Sequence, residues 1–298
     1  MIARDAGPSD QTARLAAILD IDDEELRGVR LGPRYHYRPF TISKPDGRER
    51  RLLAPSPSLK RLQRRLLDGY LVSLPIHPAA TAFYPGATTV LNAIPHARSA
   101  LIATVDLRDF FETTQSARVR GCFRAHGWRG EALQVLMRLC TSREGLPQGA
   151  PTSPCLSNLV NVQLDDRLLR LVRRSRGIYT RYGDDLTFSW PHDRMPSGFR
   201  RSVEDALGDS GYEVQPRKGW QVGEARERPR VTGLVLAGDG RLRVPWELKW
   251  RTAVLRWRSW WTRDPVDLAR LQGRREYQRM VEQVPEAIRH RRSAHDGR

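Results

Sequence analysis

Residues 177–189 constrain this chain more than any other segment, because they alternate in polarity on both sides of Gly183, Asp184 and Asp185. This pattern predicts a β-hairpin that carries two carboxylates at its turn. Adjacent aspartates repel each other and are costly to desolvate, so a folded turn that displays them needs a counter-charge, which a divalent cation can supply. A solvated turn explains these residues about equally well, because Asp and Gly favour turns for backbone reasons alone.

A third carboxylate, Asp106, directly follows the apolar run of residues 100–105. A continuous apolar run of this length predicts a strand that is buried on both faces. An aspartate at the end of a buried strand is hard to explain as surface charge, and ligand sites are often built at strand ends. Asp106 is therefore a candidate partner for the two aspartates of the hairpin.

The loop at residues 145–154 contains two glycines and three prolines, and a helix is predicted to follow it over residues 155–173. Backbone N–H groups remain free where such a loop opens a helix, so the loop is a candidate cradle for an anionic or planar ligand. A simple connecting loop is the alternative, which the density of constrained residues disfavours.

The other segments predict an alternation of helices and hairpins. Lys44 and Arg50 lie near the tip of the first hairpin, on either side of a turn at residues 45–47. The first long helix is basic, and its charged face fits solvent or nucleic-acid phosphates equally well. In chain order the predictions are one or two short helices in residues 1–32, a hairpin over 35–53, the basic helix over 55–74, a mostly helical segment over 88–97, amphipathic helices over 116–140, a helix over 198–211, a strand that runs into a basic loop over 212–218 and a hairpin over 231–244 that turns at 238–240.

The segment beyond Pro245 is predicted to be helical and separate from the rest. Trp246, Trp250, Trp257 and Trp261 would lie on one face of this helix, interleaved with arginines. The favoured interpretation is an apolar face that packs against the protein. The alternative is that some of the indoles stack on nucleic-acid bases.

Composition narrows the class of partner. The chain has 51 basic and 34 acidic side chains, a formal net charge of +17, which predicts attraction to polyanions, with nucleic acid as the first candidate. No apolar run approaches 18 residues and no signal-peptide pattern is present, so we expect a cytosolic protein with no membrane partner. Cys122, Cys140 and Cys155 are isolated, which predicts reduced thiols and neither a disulfide framework nor a zinc site.

The order of these motifs resembles the fingers-and-palm core of reverse transcriptases over residues 35 to about 250. The loop at 145–154 and the Tyr182–Asp185 sequence are the most specific parts of the resemblance. Taken alone, Asn92 and His96 are expected to be structural hydrogen-bonding groups. Asn92-Ala-Ile-Pro-His96 and Val231-Thr-Gly233 are, however, similar to two regions of the bacterial retron branch of that family. The resemblance implies an α+β right-hand polymerase fold, with an antiparallel palm sheet packed on helices. It divides the chain into an N-terminal helical extension (1–34), fingers and palm (35–240) and a helical, RNA-binding thumb (241–298).

The resemblance also implies catalytic roles. Asp106 and Asp184 would be the principal ligands of two Mg²⁺ ions, and Asp185 would assist them. Carboxylates are suitable ligands for such hard cations. Lys218 is implied as a proton donor to pyrophosphate.

Further residues are implied to bind substrate and RNA. Phe111 would exclude the ribose 2′-hydroxyl, so that deoxynucleotides are preferred. The implied contacts to the incoming nucleotide are Lys44, Arg50, the backbone at Asp109 and Phe110, Phe111, Gln148 and Gly149, and those to RNA are Asn92, His96, Val231, Thr232 and Gly233.

As a retron enzyme, the chain would copy part of a structured non-coding RNA into a single-stranded DNA that stays branched from a guanosine 2′-hydroxyl of that RNA. The implied partners are this RNA, its DNA product, deoxynucleoside triphosphates and an effector protein in anti-phage defence. The alternatives are another bacterial reverse transcriptase (phage-defence, diversity-generating or intron-derived) and an inactive RNA-binding scaffold. The complete set of three aspartates argues against the scaffold.

Overall fold

The computed structural model describes residues 8–31, 36–43, 47, 49–142 and 145–283. Lys44 lies outside these residues. The chain forms two compact units, each assembled from separated segments. Unit 1 comprises Met1–Tyr84, Leu107–Arg167 and Glu204–Val214, and unit 2 comprises Pro85–Asp106, Leu168–Val203 and Gln215–Arg298.

The described residues contain both helices and antiparallel strands. The helices are α1 (Pro8–Leu19), α2 (Asp23–Leu31), α3 (Pro57–Gly69), α4 (Thr89–Ala93), α5 (Phe110–Thr113), α6 (Ser116–Ala125), α7 (Gly130–Cys140), α8 (Ser153–Val160), α9 (Val162–Arg173), α10 (Phe199–Asp209), α11 (Trp246–Thr262) and α12 (Pro265–Glu282), with short 3₁₀ turns at Leu71–Ser73, Ile94–His96 and Ala225–Glu227. The strands are β1 (Tyr37–Ser43), β2 (Glu49–Pro55), β3 (Leu101–Asp106), β4 (Ile178–Tyr182), β5 (Asp185–Trp190), β6 (Trp220–Glu224), β7 (Arg230–Val231), β8 (Leu234–Leu236) and β9 (Leu242–Arg243).

The core of unit 1 is helical, and α3 shows how the sequence builds it. Ser56 caps the helix by accepting the N–H of Leu59, and Pro57 suits the first turn because its missing N–H needs no partner there. Leu59, Leu62 and Leu66 are spaced by three and four residues and are fully buried. This face packs with α1 and α7 in one apolar cluster. The predicted basic helix is confirmed over Pro57–Gly69.

Other predictions in unit 1 are confirmed with one correction. The N-terminal helices, the first hairpin and the helices over 116–140 are all present. The helix predicted over 155–173 is instead two helices that meet at Asn161. This fully buried side chain donates from Nδ2 to the Ser157 carbonyl and to the Tyr212 hydroxyl, and its Oδ1 accepts from Arg118. These hydrogen bonds explain the break between the helices, because a buried amide without partners would cost the free energy of its desolvation.

The centre of unit 2 is an antiparallel sheet with the strand order β4-β5-β3-β6. β3 lies between two neighbours and is buried along almost all of its length, which confirms the strand predicted before Asp106. The hairpin predicted over 177–189 is also confirmed, as β4 and β5. Strand β6 was not predicted, and it pairs with the free edge of β3.

Two predictions in the C-terminal half of the chain are wrong. Residues 212–218 do not form a strand: Val214 makes a single bridge to Leu107, and a turn follows. The strand predicted through Val231 is interrupted at Thr232 and Gly233, whose φ angles are 46° and 78°. The result is a three-stranded antiparallel sheet in the order β7-β8-β9, in which β8 and β9 form the predicted second hairpin.

The helices predicted beyond Pro245 are confirmed as far as Glu282. The region is not separate as predicted, because Val281 and Leu248 pack in the apolar core of unit 2, and the packing predicted for the tryptophans is also wrong. Helix α11 buries Thr252, Leu255 and Ser259, whereas its five tryptophans are between 62% and 72% exposed. Helical periodicity correctly predicted that the indoles share one face, but that face is exposed to solvent and does not pack against the protein.

The three cysteines are free thiols, and burial raises the pKa of each, to about 12 for Cys140 and to about 11 for Cys122 and Cys155. They are therefore protonated at neutral pH, as expected for unreactive core residues. Among the described helices, none combines the length and the apolar composition needed to cross a bilayer.

Candidate active site

The turn between β4 and β5 displays two carboxylates. Tyr182 pairs with Asp185 across Gly183 and Asp184, so the connection is as short as a hairpin allows. Gly183 has a φ of 67°, a value that glycine adopts without steric cost. Asp184 is exposed at the tip and Asp185 is half-buried at the start of β5.

The register of β3 and β5 places Asp106 directly opposite Asp185. Side chains of directly opposed residues project from the same face of a sheet, with their Cβ atoms roughly 5 Å apart. Asp106 is almost fully buried. The structure therefore brings together the three carboxylates that the sequence singled out, and all three belong to unit 2.

Lys218 supplies a positive charge to this cluster. The turn that carries it is held to the end of β3, because the Gln215 N–H donates to the Asp106 carbonyl and Gly219 N–H donates to the Gln215 carbonyl. The Lys218 ammonium donates to Oδ2 of Asp106. One ammonium faces three carboxylates, so the cluster keeps excess negative charge.

The pKa values of Asp185 and Lys218 reflect this excess of negative charge. Burial, followed by repulsion from Asp184 and Asp106, raises the pKa of Asp185 from 3.8 to about 6, against the opposing attraction of Lys218. Partial burial acts to lower the pKa of Lys218, but the hydrogen bond to Asp106 and the attraction of all three carboxylates outweigh it and raise the pKa. Lys218 is thus a protonated donor at neutral pH.

The donor chemistry of the cluster fits a divalent cation such as Mg²⁺, which prefers carboxylate oxygens. Asp106, Asp184 and Asp185 supply these oxygens and the uncompensated charge. Within the described part of the chain, however, no three His, Cys, Asp or Glu side chains already form a metal-ligand group. Lys218 holds one oxygen of Asp106. The role of the three aspartates as metal ligands stays a prediction.

The raised pKa predicts that Asp185→Asn stabilises the metal-free protein at neutral pH. The folded carboxyl titrates near pH 6 and the unfolded one near 3.8, so the folded state binds the proton more tightly. Stability therefore falls as the pH rises through this window, by about 1–3 kcal/mol in total. Asparagine removes the charge, and with it the loss of stability that the ionised carboxylate causes at neutral pH. In EDTA at pH 7.5 we expect the variant to melt several degrees above the wild type, and at pH 4 the difference should vanish.

Asp193→Asn is the matched control, because Asp193 is exposed and lies in a loop after β5. Its thermal unfolding should be unchanged at both pH values. A gain for Asp185→Asn that was equal at pH 4 and pH 7.5 would show that the charge of Asp185 is not its source.

Unit 1 contains the residues predicted to contact the nucleotide. Asp109 is exposed and has a φ of 43° where α5 begins. Phe110 is buried and stacks on Tyr212, with ring centroids 5.5 Å apart. Phe111 is half-buried between Phe83, at 6.1 Å, and Phe110, at 5.3 Å. The ring of Phe111 is thereby fixed by aromatic neighbours on two sides.

The loop at residues 145–154 contacts β2, the strand that carries Arg50. The Leu53 N–H donates to the Gln148 carbonyl over 2.8 Å. Gly149 has a φ of 124°, and a Cβ there would lie 2.9 Å from the Leu53 carbonyl oxygen. Gly145 is under the same constraint, because its Cβ would lie 2.3 Å from the carbonyl oxygen of Glu112. These close approaches explain why glycine occupies both positions. The hydrogen bond from Leu53 to Gln148 also places the loop against the strand that carries Arg50.

The residues predicted to contact RNA have different surroundings. His96 is fully buried; its Nδ1 contacts the Ser189 hydroxyl at 2.7 Å and its Nε2 the Thr180 hydroxyl at 2.8 Å. Asn92 is also fully buried and contacts the Thr232 hydroxyl at 3.5 Å.

Val231 belongs to the apolar core of unit 2, whereas Thr232 is half-buried and Gly233 is exposed. The burial of Asn92, His96 and Val231 gives no support to direct RNA contact by these three. Asn92, which contacts Thr232, and Val231, which pairs with Leu234, position the turn at Thr232 and Gly233, and RNA binding by that turn stays a prediction.

Two residues of structural importance were missed by the sequence reasoning. Arg181 is fully buried in β4, and its guanidinium donates to the carbonyl of Gly183 in the turn between β4 and β5. Tyr212 supports Phe110 and hydrogen-bonds to Thr114 over 2.7 Å. A charged residue inside an otherwise apolar strand is a visible signal for Arg181, because a buried charge requires partners.

Comparison with known proteins agrees with this geometry. Residues 42–233 match the family described as reverse transcriptase (RNA-dependent DNA polymerase). The chain therefore belongs to the reverse transcriptase family. The family implies the right-hand polymerase fold, with which the helices and antiparallel sheets of both units are consistent.

The similar proteins are reverse transcriptases of bacterial retrons. The Retron Mx162 and Retron Mx65 reverse transcriptases of Myxococcus xanthus are each 36% identical, over 69% and 67% of this chain. The Retron Ec86 reverse transcriptase of Escherichia coli is 33% identical over 74% of this chain and 69% of its own length. The chain spans about half the length of the two Myxococcus relatives, 48% and 51% respectively. The resemblance to the retron branch is confirmed.

Proposed function

We propose that this protein is the RNA-directed DNA polymerase of a retron. It copies part of a structured RNA into single-stranded DNA that remains joined to that RNA. The observation that carries the proposal is the pairing of Asp106 with Asp185 beside Asp184, in a chain that matches the reverse transcriptase family over residues 42–233. A scaffold that only binds RNA has no use for three clustered carboxylates, since burial and then mutual repulsion raise the pKa of Asp185.

Phosphoryl transfer depends mainly on positioning and charge neutralisation. Asp106 and Asp184, assisted by Asp185, would hold two Mg²⁺ ions. Bound there, such ions supply charge stabilisation to the attacking and leaving oxygens of an in-line displacement. Lys218 is protonated beside these carboxylates and would donate its proton to the departing pyrophosphate.

The incoming nucleotide would be held by residues of unit 1. Arg50 and Lys44 would bind the triphosphate, and the backbone at Asp109 and Phe110 would contact phosphates. Gln148 and Gly149 would line the nucleotide pocket. The fixed ring of Phe111 would oppose a 2′-hydroxyl. The contact between the 145–154 loop and β2 supports this assignment, because it joins Gln148 to the strand of Arg50.

We assign residues 1–34 to an N-terminal helical extension, residues 35–240 to the fingers and palm, and residues 241–298 to a helical thumb that binds RNA. The partners are the cognate RNA, its DNA product and deoxynucleoside triphosphates. An effector protein for anti-phage defence completes the proposal. The identity of the relatives as retron enzymes supports these assignments.

Nucleic acid that co-purifies with the protein tests the proposal. The chain is expressed with the DNA that flanks its gene, purified, and its bound nucleic acid is sequenced before and after RNase treatment. We expect one short DNA species whose 5′ end remains linked to a ribonucleotide and is released by a debranching enzyme. Asp184→Asn should yield the RNA without the DNA. Heterogeneous DNA, or DNA with a free 5′ end, would contradict the retron assignment.

A further inference from the structure

Helix α11 exposes a continuous row of indoles. Five of the eight tryptophans of the chain lie on this helix and are 62–72% exposed. At about 100° per residue they fall within an arc of roughly 100°. The buried residues Thr252, Leu255 and Ser259 occupy the opposite side. We call this row the tryptophan face; its members are Trp246, Trp250, Trp257, Trp260 and Trp261.

The tryptophan face is a large apolar surface with no cover in the described residues. The ring of Trp261 contacts those of Trp260 and Trp257, with centroids 5.3 and 6.3 Å apart respectively. Exposed apolar patches of this kind usually mark a binding surface. An indole also presents a flat π-face, which suits a planar ligand.

The residues around the tryptophan face are basic. Helix α11 contains Lys249, Arg251, Arg256 and Arg258 against a single acidic residue, Glu247. Glu247 is paired with Arg230 at 2.7 Å, Lys249 with Glu282 at 3.1 Å and Arg258 with Asp267 at 2.6 Å, which leaves Arg251 and Arg256 in excess along the helix. The charge of this surface is complementary to an anion.

An arginine-lined groove adjoins the tryptophan face between α11 and α12. It has a volume of about 330 Å³ and is lined by Trp250, Val254 and four arginines, Arg251, Arg258, Arg270 and Arg274. Asp267 is almost fully buried and binds Arg258 through two contacts of 2.6 Å, which fixes that guanidinium. One carboxylate against four guanidinium groups leaves three positive charges in the groove.

We propose that the tryptophan face and the arginine groove together bind unpaired nucleotides of a nucleic-acid strand. Bases stack on the indoles, as in other proteins that bind single strands, and phosphates lie against the arginines. A duplex hides its base faces, so the same indoles cannot stack on it. The inference rests on the proposed RNA-binding role of residues 241–298 and specifies unpaired nucleotides as the ligand of α11; none of the three aspartates takes part.

The first test compares single-stranded with double-stranded probes in the full chain. The probes are a labelled 20-nucleotide RNA of unstructured sequence and the blunt duplex of the same sequence. Loss of one stacked base weakens binding by roughly tenfold. Trp250→Ala/Trp257→Ala/Trp261→Ala should therefore weaken single-strand binding at least 100-fold and duplex binding less than threefold. Val266→Ala/Leu268→Ala removes exposed apolar side chains of α12 outside the tryptophan face and should change neither affinity.

The second test uses the groove and an optical signal. Arg251→Ala and Arg275→Ala each remove one exposed positive charge, but only Arg251 lines the groove. Single-strand affinity should fall at least fivefold for Arg251→Ala and less than twofold for Arg275→Ala.

Stacking should also quench the indole fluorescence, because the tryptophan face supplies five of the eight indoles and is exposed to the ligand, whereas Trp128 and Trp190 are buried out of its reach. Asp184→Asn should show the same quenching, and this separates the site from the polymerase activity.

Three outcomes would overturn the proposal. Equal loss of single-strand and duplex binding in the triple variant would assign the face to a duplex. Unchanged RNA affinity with a change from dimer to monomer in light scattering would assign it to a second copy of the chain. Unchanged RNA affinity with lost binding to vesicles containing phosphatidylserine would assign it to a lipid surface. The substituted indoles are exposed, so the variants should keep the circular dichroism of the wild type.

Discussion

Asp184→Asn is expected to lower magnesium-dependent primer extension by about a thousandfold or more, while RNA binding stays within about threefold of the wild type. The substitution keeps the size of the side chain and removes its charge. Asp184 is exposed at the tip of the β4–β5 turn, so the loss cannot be ascribed to unfolding. Charge stabilisation by preorganised groups and metal ions commonly accounts for rate factors of this size.

The assay is extension of a labelled DNA primer on an RNA template with deoxynucleotides and Mg²⁺. Asp193→Asn serves as the control, because it removes a carboxylate of the same type from an exposed loop outside the cluster. It should extend the primer at the wild-type rate. If Asp184→Asn retained a tenth of that rate, Asp184 would not be a principal metal ligand.

The strands that carry the carboxylates were predictable because they depend on local patterns. The apolar run before Asp106 specified a buried strand, and the alternation around Asp184 and Asp185 specified a hairpin. What the patterns do not contain is which strands pair. The register that places Asp106 opposite Asp185, and the addition of β6 to the other side of β3, are set by long-range packing.

Two differences in burial between the sequence interpretation and the structure have a common physical cause. Hydrophobic periodicity identifies the residues that share a face, but it does not say which face is covered. The indoles of α11 illustrate this, since the helix buries Thr252 and Ser259 and exposes its tryptophans. His96 illustrates the reverse case: a polar residue in a Pro-containing turn is fully buried because Thr180 and Ser189 satisfy both ring nitrogens. A partner 84 or 93 residues away in sequence leaves no local signal.

The turn at Thr232 and Gly233 was hidden for a different reason. Residues 231–237 are mostly apolar and β-branched, which predicts one continuous strand. The single glycine was the available sign of an interruption, because a glycine with positive φ permits a reversal that other residues resist. Buried Asn92 contacts the Thr232 hydroxyl, which in turn donates to the Thr89 carbonyl, so tertiary contacts hold the reversal in place.

Phe111→Ala is expected to lower the preference for deoxynucleotides over ribonucleotides by roughly 10- to 100-fold, a range typical of removing a shape constraint from a substrate pocket. A steric gate must be rigid, because a mobile ring would yield to a hydroxyl group. The contacts of Phe111 with Phe83 and Phe110 supply that rigidity. The measurement is the ratio of kcat/KM values for a deoxynucleoside and a ribonucleoside triphosphate on one primer–template.

The ratio is the informative quantity, because truncating a half-buried ring also costs stability, on the order of 1–3 kcal/mol. A smaller folded fraction lowers both rates equally and leaves their ratio unchanged, whereas loss of a gate raises ribonucleotide use alone. Phe40→Ala is the matched control, since Phe40 is an exposed phenylalanine of β1 in the same unit. Equal sugar selectivity in Phe111→Ala and Phe40→Ala would assign Phe111 to the packing of unit 1 and place the sugar discrimination on another residue.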